Sequence, residues 1–309
     1  MSYSQKLLAC ATAVRSVLPD PERRGRVLTA VERTEHTTRL DPPIQGLQRA
    51  VHALPLSDED RDVLHGHWLG HPVHPLLVQV PIGTWLSAAV LDLVPGKRRH
   101  YAPALLVATG LVAAVPAAVT GWIDWAELRK PQMRVGLVHA VANSTAIGLY
   151  AASLTARLRG RSVRGRMLGY AGLAAVGVGG ALGGHLAYRQ ASAVNHAEDI
   201  SVRTEPGWHP LGAAADLPIG EAVRRTVGEV PVVVVRESGG AVHVLADRCS
   251  HMAGPLSQGQ VVDGCVRCPW HGSLFRLSDG WNVGGPATAP QPAFETRLVD
   301  GQVEAQLKR

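Results

Sequence analysis

Cys249-Ser250-His251 and Cys268-Pro269-Trp270-His271-Gly272 form two short boxes, with sixteen residues between His251 and Cys268. Each box supplies one thiolate and one imidazole. Zinc sites usually pair like ligands, Cys with Cys and His with His, whereas here both boxes are mixed. Such tight mixed boxes suit two loops lying side by side at one end of a small antiparallel fold. Gly254 and Gly272 suit strained turn positions, where a missing Cβ permits unusual φ/ψ.

A Rieske [2Fe–2S] centre takes this ligand set, two Cys on one iron and two His on the other, which raises its potential above that of an all-cysteine cluster. The surroundings resemble that family. Gly264 to Phe275 (GCVRCPWHGSLF) is similar to its second box, and Gly284-Gly285-Pro286 to the proline loop that covers the cluster. Two hairpin signatures frame the boxes: Val230 to Arg236 and Ala241 to Leu245 around Ser238-Gly239-Gly240, and Phe294 to Val299 and Val303 to Leu307 around Asp300-Gly301. The resemblance covers residues 207–309. It implies a [2Fe–2S] cluster with Cys249 and Cys268 on the inner iron and His251 and His271 on the outer, solvent-facing iron.

The departures are informative. Rieske proteins of quinol–cytochrome complexes carry an extra Cys in each box, joined as a disulfide, and those places are here Gly254 and Trp270. Of the Ser and Tyr that hydrogen-bond the cluster in such proteins, Ser273 keeps the first and Phe275 replaces the second. The resemblance therefore implies a lower potential, closer to Rieske ferredoxins. Ring oxygenases share these boxes but need a second, mononuclear iron in a following domain. Only 38 residues follow His271, so the expectation is an electron-transfer component of an oxidoreductase, without catalytic residues and not a terminal oxygenase.

The 309 residues give room for two domains. Four apolar segments, Pro75–Val94, Ala102–Ile123, Val135–Leu154 and Leu168–Tyr188, each hold about 20 residues, the length that crosses a bilayer. Flanking Arg and Trp favour membrane spans over buried soluble helices. Gly177, Gly179, Gly180, Gly183 and Gly184 would permit close helix contact. The net charge of +6 lies largely in Arg clusters beside the spans, which suits anionic lipid and not nucleic acid. No phosphate loop, nucleophile motif or dinucleotide fingerprint is visible. The fold class expected is an all-α four-helix transmembrane bundle followed by an all-β iron–sulfur domain: an arm over 1–66, the bundle over 67–190, a polar linker over 191–206 and the Rieske domain over 207–309.

Leu69-Gly70-His71-Pro72-Val73-His74-Pro75, Gly121-Trp122-Ile123-Asp124-Trp125 and the His139…Asn143 spacing resemble a family of small four-helix bacterial membrane proteins with a GHP-x-HP opening. That resemblance implies a multi-pass protein of the bacterial cell membrane and brings no activity. His71, His74, Asp124, His139 and His185 share one depth, on the side that holds the cluster domain. Ionisable groups at membrane depth mark functional sites by default. His139 and His185 would suit axial ligands of a b-type haem, and His71 and His74 a second pair or a quinone head group. The alternative is interfacial histidines bonded to backbone or water.

Two rules disagree on the side the Rieske domain faces. Lys97-Arg98-Arg99 and the arginines at 157, 159, 161, 164 and 166 flank the other side without an acid, which places the cluster outside. The lack of a signal-peptide pattern argues for the cytoplasm. In the arm, short amphipathic helices are expected at 5–18, 22–39 and 44–54, with Pro42 and Pro43 as breakers, and 58–62 reads as a helix start. Cys10 and Cys265 have no evident partner. The functional expectation is a carrier of single electrons between a haem or quinone and a redox partner protein, with lipid as surroundings. The alternative is a redox sensor whose cluster state alters the bundle. The oligomeric state has no signal in the sequence.

Overall fold

The computed structural model describes residues 25–94 and 101–308. Cys10, the expected helix at 5–18 and the Lys97-Arg98-Arg99 turn lie outside them. Three short helices come first: α1 (Arg26–Glu35), α2 (Asp41–His52) and α3 (Asp58–His65). Pro42 and Pro43 begin α2 instead of breaking the chain, because a first-turn residue needs no backbone N–H. Ser57 caps α3. Its Oγ accepts from Asp60 N at 3.1 Å while Asp60 Oδ2 accepts from Ser57 N at 3.0 Å, a reciprocal box that satisfies two orphan donors. Gly66, at φ 94°, ends the helix.

Four helices follow that are long and apolar enough to cross a membrane: α4 (His74–Leu93), α5 (Tyr101–Ala126), α6 (Lys130–Leu158) and α7 (Ser162–Arg189). At most 28 % of the apolar window of any of them is buried, and Leu105, Val112, Val115, Val141 and Val178 point outward. An apolar exterior of this extent is what a bilayer solvates. Inside, glycines make room for large side chains. A Cβ on Gly172 would lie 2.9 Å from the Tyr150 ring, and one on Gly179 would lie 2.4 Å from Asn143 Oδ1. Gly177 and Gly180 meet nothing within 4 Å, so only part of the predicted glycine run faces a neighbouring helix.

The arm caps one end of the bundle. Ile44 and Val51 of α2 pack with Ile123, Trp125, Ala126 and Met133, and Arg134 holds Asp41 through two bonds of 2.7 and 2.9 Å. The stretch expected as a polar linker is folded too. Ala197 and Ile200, which opens the short α8 (Ile200–Arg203), are 1 % and 2 % exposed within the β-domain core, because burying their apolar surface outweighs leaving a free tether.

Ten strands form two sheets. β1 (His209–Ala213), β2 (Ala222–Val227), β3 (Val230–Arg236), β4 (Val242–Ala246), β9 (Ala293–Val299) and β10 (Gln302–Leu307) give the order β1-β10-β9-β4-β3-β2. β5 (Gln260–Val262), β6 (Cys265–Arg267), β7 (Leu274–Arg276) and β8 (Asn282–Gly284) form a smaller meander. Asp300 and Gly301 turn between β9 and β10 with φ of 48° and 77°, the two positive angles that a tight hairpin requires. The first Cys/His box lies in the loop after β4, the second between β6 and β7. Both rest on Val233, Val235, Leu245, Val266 and Phe275.

Candidate functional site: paired thiols and imidazoles against the helical domain

The two loops are built alike. Cys249 N donates to Gly254 O at 2.9 Å and Cys268 N to Ser273 O at 2.8 Å, so each cysteine closes its own turn. Gly272 has φ 77° as expected, but in the first loop Ala253 takes the left-handed angle, at 62°. Gly254 serves another purpose: a Cβ there would lie 2.9 Å from Cys268 Sγ and 3.1 Å from the Trp270 ring. Gln291, only 2 % exposed, braces the first loop. It accepts from Ser250 N at 3.0 Å and donates to Ala246 O and Arg248 O at 2.7 and 2.6 Å. Sequence reading missed it, since a glutamine 40 residues downstream carries no motif. Gln291→Leu would leave all three backbone groups unpaired at about 1–3 kcal/mol each. The expected result is a lower unfolding temperature and poor retention of iron, read by calorimetry and metal analysis.

Cys249 and Cys268 are buried, 1 % and 3 % exposed, with their sulfurs hydrogen-bonded to each other. Backbone N–H groups of His251 and Met252 point at the first sulfur, and those of Trp270 and His271 at the second. The hydrogen bond from Cys249, helped by its N–H donors, draws Cys268 down to about 6 against burial. The same sulfur–sulfur bond and burial push Cys249 well above an ordinary thiol. The His251 and His271 rings stand 5.0 Å apart at 87°. His251 Nδ1 is buried without a hydrogen-bond partner, and burial pushes both imidazoles toward the neutral form. Orphaned imidazole nitrogen and N–H-solvated sulfur are donors suited to metal, and two thiols beside two imidazoles match the mixed ligation of a [2Fe–2S] cluster. Among the described residues no three His, Cys, Asp or Glu side chains converge on one mononuclear metal. Ser273 is fully buried, and its Oγ accepts from Ala287 N at 3.2 Å.

This end of the β-domain meets the helical domain. Gly285 N donates to Asp62 Oδ1 at 3.0 Å, and His67 Nε2 donates to Gly285 O. His196 N donates to Ser250 O at 2.8 Å, and Arg248 pairs with Asp199. Between the halves lies a cavity of about 30 Å³ lined by His65, Asp124, Leu128, Ser250, His251 and Pro286. Burial pushes the Asp62 carboxyl up, more than His67 and the Gly285 N–H pull it down. Asp62→Asn keeps an acceptor without the desolvated charge and is expected to leave docking intact. Asp62→Ala should weaken it by about 1–3 kcal/mol, and amide exchange at Gly285 reads both. Asp62 and His65 belong to the arm, the part of the chain with the least sequence signal, and His67 directly follows it. The His65-Gly66-His67 pair just before the GHP stretch was the available clue.

The other histidines are engaged elsewhere. His139 donates from Nδ1 to Gly179 O at 2.8 Å and accepts at Nε2 from Asn143 Nδ2 at 3.1 Å, so both nitrogens are used. His185 Nε2 is held by Glu35 at 2.6 Å. His74 Nδ1 donates to Ala117 O at 2.7 Å, and His71 is exposed with Nδ1 on Pro72 O at 3.0 Å. His74 meets His139, at 6.3 Å between rings, and not His71. His139 has no imidazole nitrogen left for an axial bond and His185 is engaged by Glu35, so the structure gives no support to the expected His139–His185 pairing, and backbone bonds of the alternative reading are present at His139, His74 and His71.

A helical membrane-type domain ahead of a small β-domain with paired thiol and imidazole loops defines the class: a mixed Cys/His β-domain joined to a helix bundle. The Rieske [2Fe-2S] domain family matches residues 207–295, and residues 70–196 match the family described as Predicted membrane protein (DUF2231). The anthranilate 1,2-dioxygenase ferredoxin subunit of Burkholderia cepacia is 41 % identical over 97 residues, 31 % of this chain and 89 % of that protein. Ferredoxin CarAc of Metapseudomonas resinovorans is 33 % identical over 98 residues, 31 % of this chain and 90 % of that protein. A solved complex of reduced oxygenase and oxidized ferredoxin in carbazole 1,9a-dioxygenase contains a chain 30 % identical, with TM-score 0.30, covering 32 % of this chain and 92 % of that one. Through its C-terminal domain the chain belongs to the Rieske [2Fe-2S] family.

Proposed function

We propose that the protein is a membrane-anchored Rieske ferredoxin that passes single electrons to and from a redox partner protein. Cys249 and Cys268 hold the inner iron, and His251 and His271 the outer iron. When bound, the [2Fe–2S] cluster supplies a one-electron couple. The chain's own residues keep water from the sulfurs, solvate them through four backbone N–H groups, and hold the imidazoles at the end of the β-domain that meets the helical domain. Ser273 keeps its hydroxyl hydrogen available for a cluster sulfur while Ala287 N occupies one lone pair. The observation that carries this reading is the buried, partnerless Nδ1 of His251 beside the two N–H-solvated cysteines, in a domain 41 % identical to a dioxygenase ferredoxin subunit. The apolar exterior of α4–α7 supports a bilayer as the anchor, with α1–α3 and the β-domain together at one end of the bundle.

A quinone has less support than a protein partner. The cavity beside His251 measures about 30 Å³, room for two or three waters at roughly 10–15 Å³ each. Electron paramagnetic resonance of the detergent-purified, cofactor-replete chain tests the proposal: a Rieske spectrum is expected, and a colourless protein holding one zinc would end it. Phe275 has no donor for the cluster, and Gly254 and Trp270 cannot form a bridge. A redox titration should therefore place the midpoint near the lower end of the Rieske range of about −150 to +300 mV, and a strongly positive midpoint counts against it. One observation favours a sensor instead: the proline loop is held by Asp62 of the arm and by His67 just after it, so a change at the cluster would reach the helical half. Sustained oxidation of an added reduced carrier supports the relay, and reduction that stops at one electron per cluster supports the sensor.

A further inference from the structure

His65 ends α3 and Asp124 lies in the last turn of α5, so both come from the helical half. His65 Nδ1 donates to Asp124 Oδ1 at 2.9 Å, with side chains only 7 % and 19 % exposed. Other ties hold the arm to the bundle, including Arg134–Asp41 and His185–Glu35, but neither of these lines the cavity against the β-domain. Within that cavity the ionisable side chains are His65, Asp124 and His251. A water-sized gap thus separates a buried carboxylate–imidazole pair from an outer-iron ligand.

Resting on the carrier reading above, we infer that the His65–Asp124 pair sets the potential of the cluster from outside the Rieske domain. Reduction adds one negative charge at the cluster. A carboxylate held in a poorly solvated cavity opposes that charge, and His65 fixes the carboxylate in place. Asp124 and His65 are therefore positioning residues. They act through the field across the cavity and without touching the iron.

The test is a spectroscopic redox titration of the full chain in detergent. Asp124→Asn keeps an oxygen for His65 and removes the charge. It should shift the cluster toward the reduced form by about tenfold at a fixed poise, the order expected for loss of one poorly solvated unit charge at an effective dielectric of about 20. For a one-electron couple that is about 59 mV upward. Asp124→Glu should keep the original potential, as should Asp41→Asn, which cuts a tie to Arg134 outside the cavity. A second charge variant works in the opposite direction: Asn195→Asp adds a carboxylate to the cavity wall and should lower the potential by a similar factor. An unaltered chain without a [2Fe–2S] signal removes the carrier reading itself. With that signal present, an unchanged potential in Asp124→Asn overturns the inference and leaves the carrier standing. If Asp124→Asn loses its cluster, an unchanged potential in Asn195→Asp overturns it instead, and a downward shift upholds it.

Discussion

Asp92→Asn is expected to destabilise the helical domain by about 3–5 kcal/mol, the cost of stranding one partner of a buried ion pair. Asp92 closes α4 and Arg157 lies in the last turn of α6. The guanidinium meets the carboxylate at 2.9 and 2.5 Å, with side chains 6 % and 7 % exposed. The geometry is over-determined. Arg157 Nε also donates to Ser153 Oγ at 3.2 Å, Ser153 Oγ donates to Gly165 O at 2.6 Å, and a Cβ on Gly165 would lie 2.5 Å from Arg157 Cγ. Three helices therefore close on one guanidinium. An asparagine retains one acceptor oxygen but leaves the charge uncompensated in a site from which water is excluded. Thermal unfolding in detergent, followed by circular dichroism, should show a large drop for Asp92→Asn. The pair Asp92→Leu with Arg157→Met should recover most of it, because replacing a whole buried pair with apolar groups is often neutral or stabilising. Unchanged unfolding of the single variant would refute the account.

The same pair shows where reading the chain succeeds and where it stops. Arg157 counts among the lipid-facing arginines in the sequence, and only its packing against Asp92, 65 positions away, withdraws it from that group. The Cys/His boxes, the four apolar segments and the Asp300-Gly301 turn were readable because each follows from local spacing: ligands within one loop, a run long enough for a bilayer, a dipeptide able to take positive φ. His139 and His185 are expected on one side of the bundle from their positions in the third and fourth apolar segments. Their roles depend on Gly179 and Glu35, 40 and 150 positions away, which no periodicity announces. The end of the arm, with His67 just beyond it, is the extreme case. His67 and Asp62 reach Gly285 across 218 and 223 positions, and in sequence they are ordinary polar residues of a short amphipathic segment. Asp124 stood out as an ionisable residue at a span end, but the cluster-side partner it faces is visible only in three dimensions.

Gly254→Ala is expected to abolish cluster loading while leaving the β-domain folded. The added Cβ would meet Cys268 Sγ at 2.9 Å and two atoms of the Trp270 ring at 3.1 Å, contacts tighter than side-chain carbons accept. Trp270 is 48 % exposed and has room to yield, whereas Cys268 is 3 % exposed and fixed by its own turn. The strain of about 1–3 kcal/mol typical of overpacking therefore falls on the sulfur that is proposed to bind iron. The two sheets do not depend on this contact: Gly254 N–H is free of the strand ladders, and its carbonyl accepts only the turn bond from Cys249 N. Gly264→Ala provides the comparison. Gly264 has φ 72° with nothing within 4 Å of a Cβ, so alanine there costs roughly 1 kcal/mol of backbone strain without touching a ligand. Iron content and the Rieske spectrum should vanish in Gly254→Ala and persist in Gly264→Ala, with far-ultraviolet dichroism unchanged in both. Full loading of Gly254→Ala would mean that Cys268 Sγ moves away from Gly254 when iron is bound, and that the close approach of the two loops is not what shapes the site.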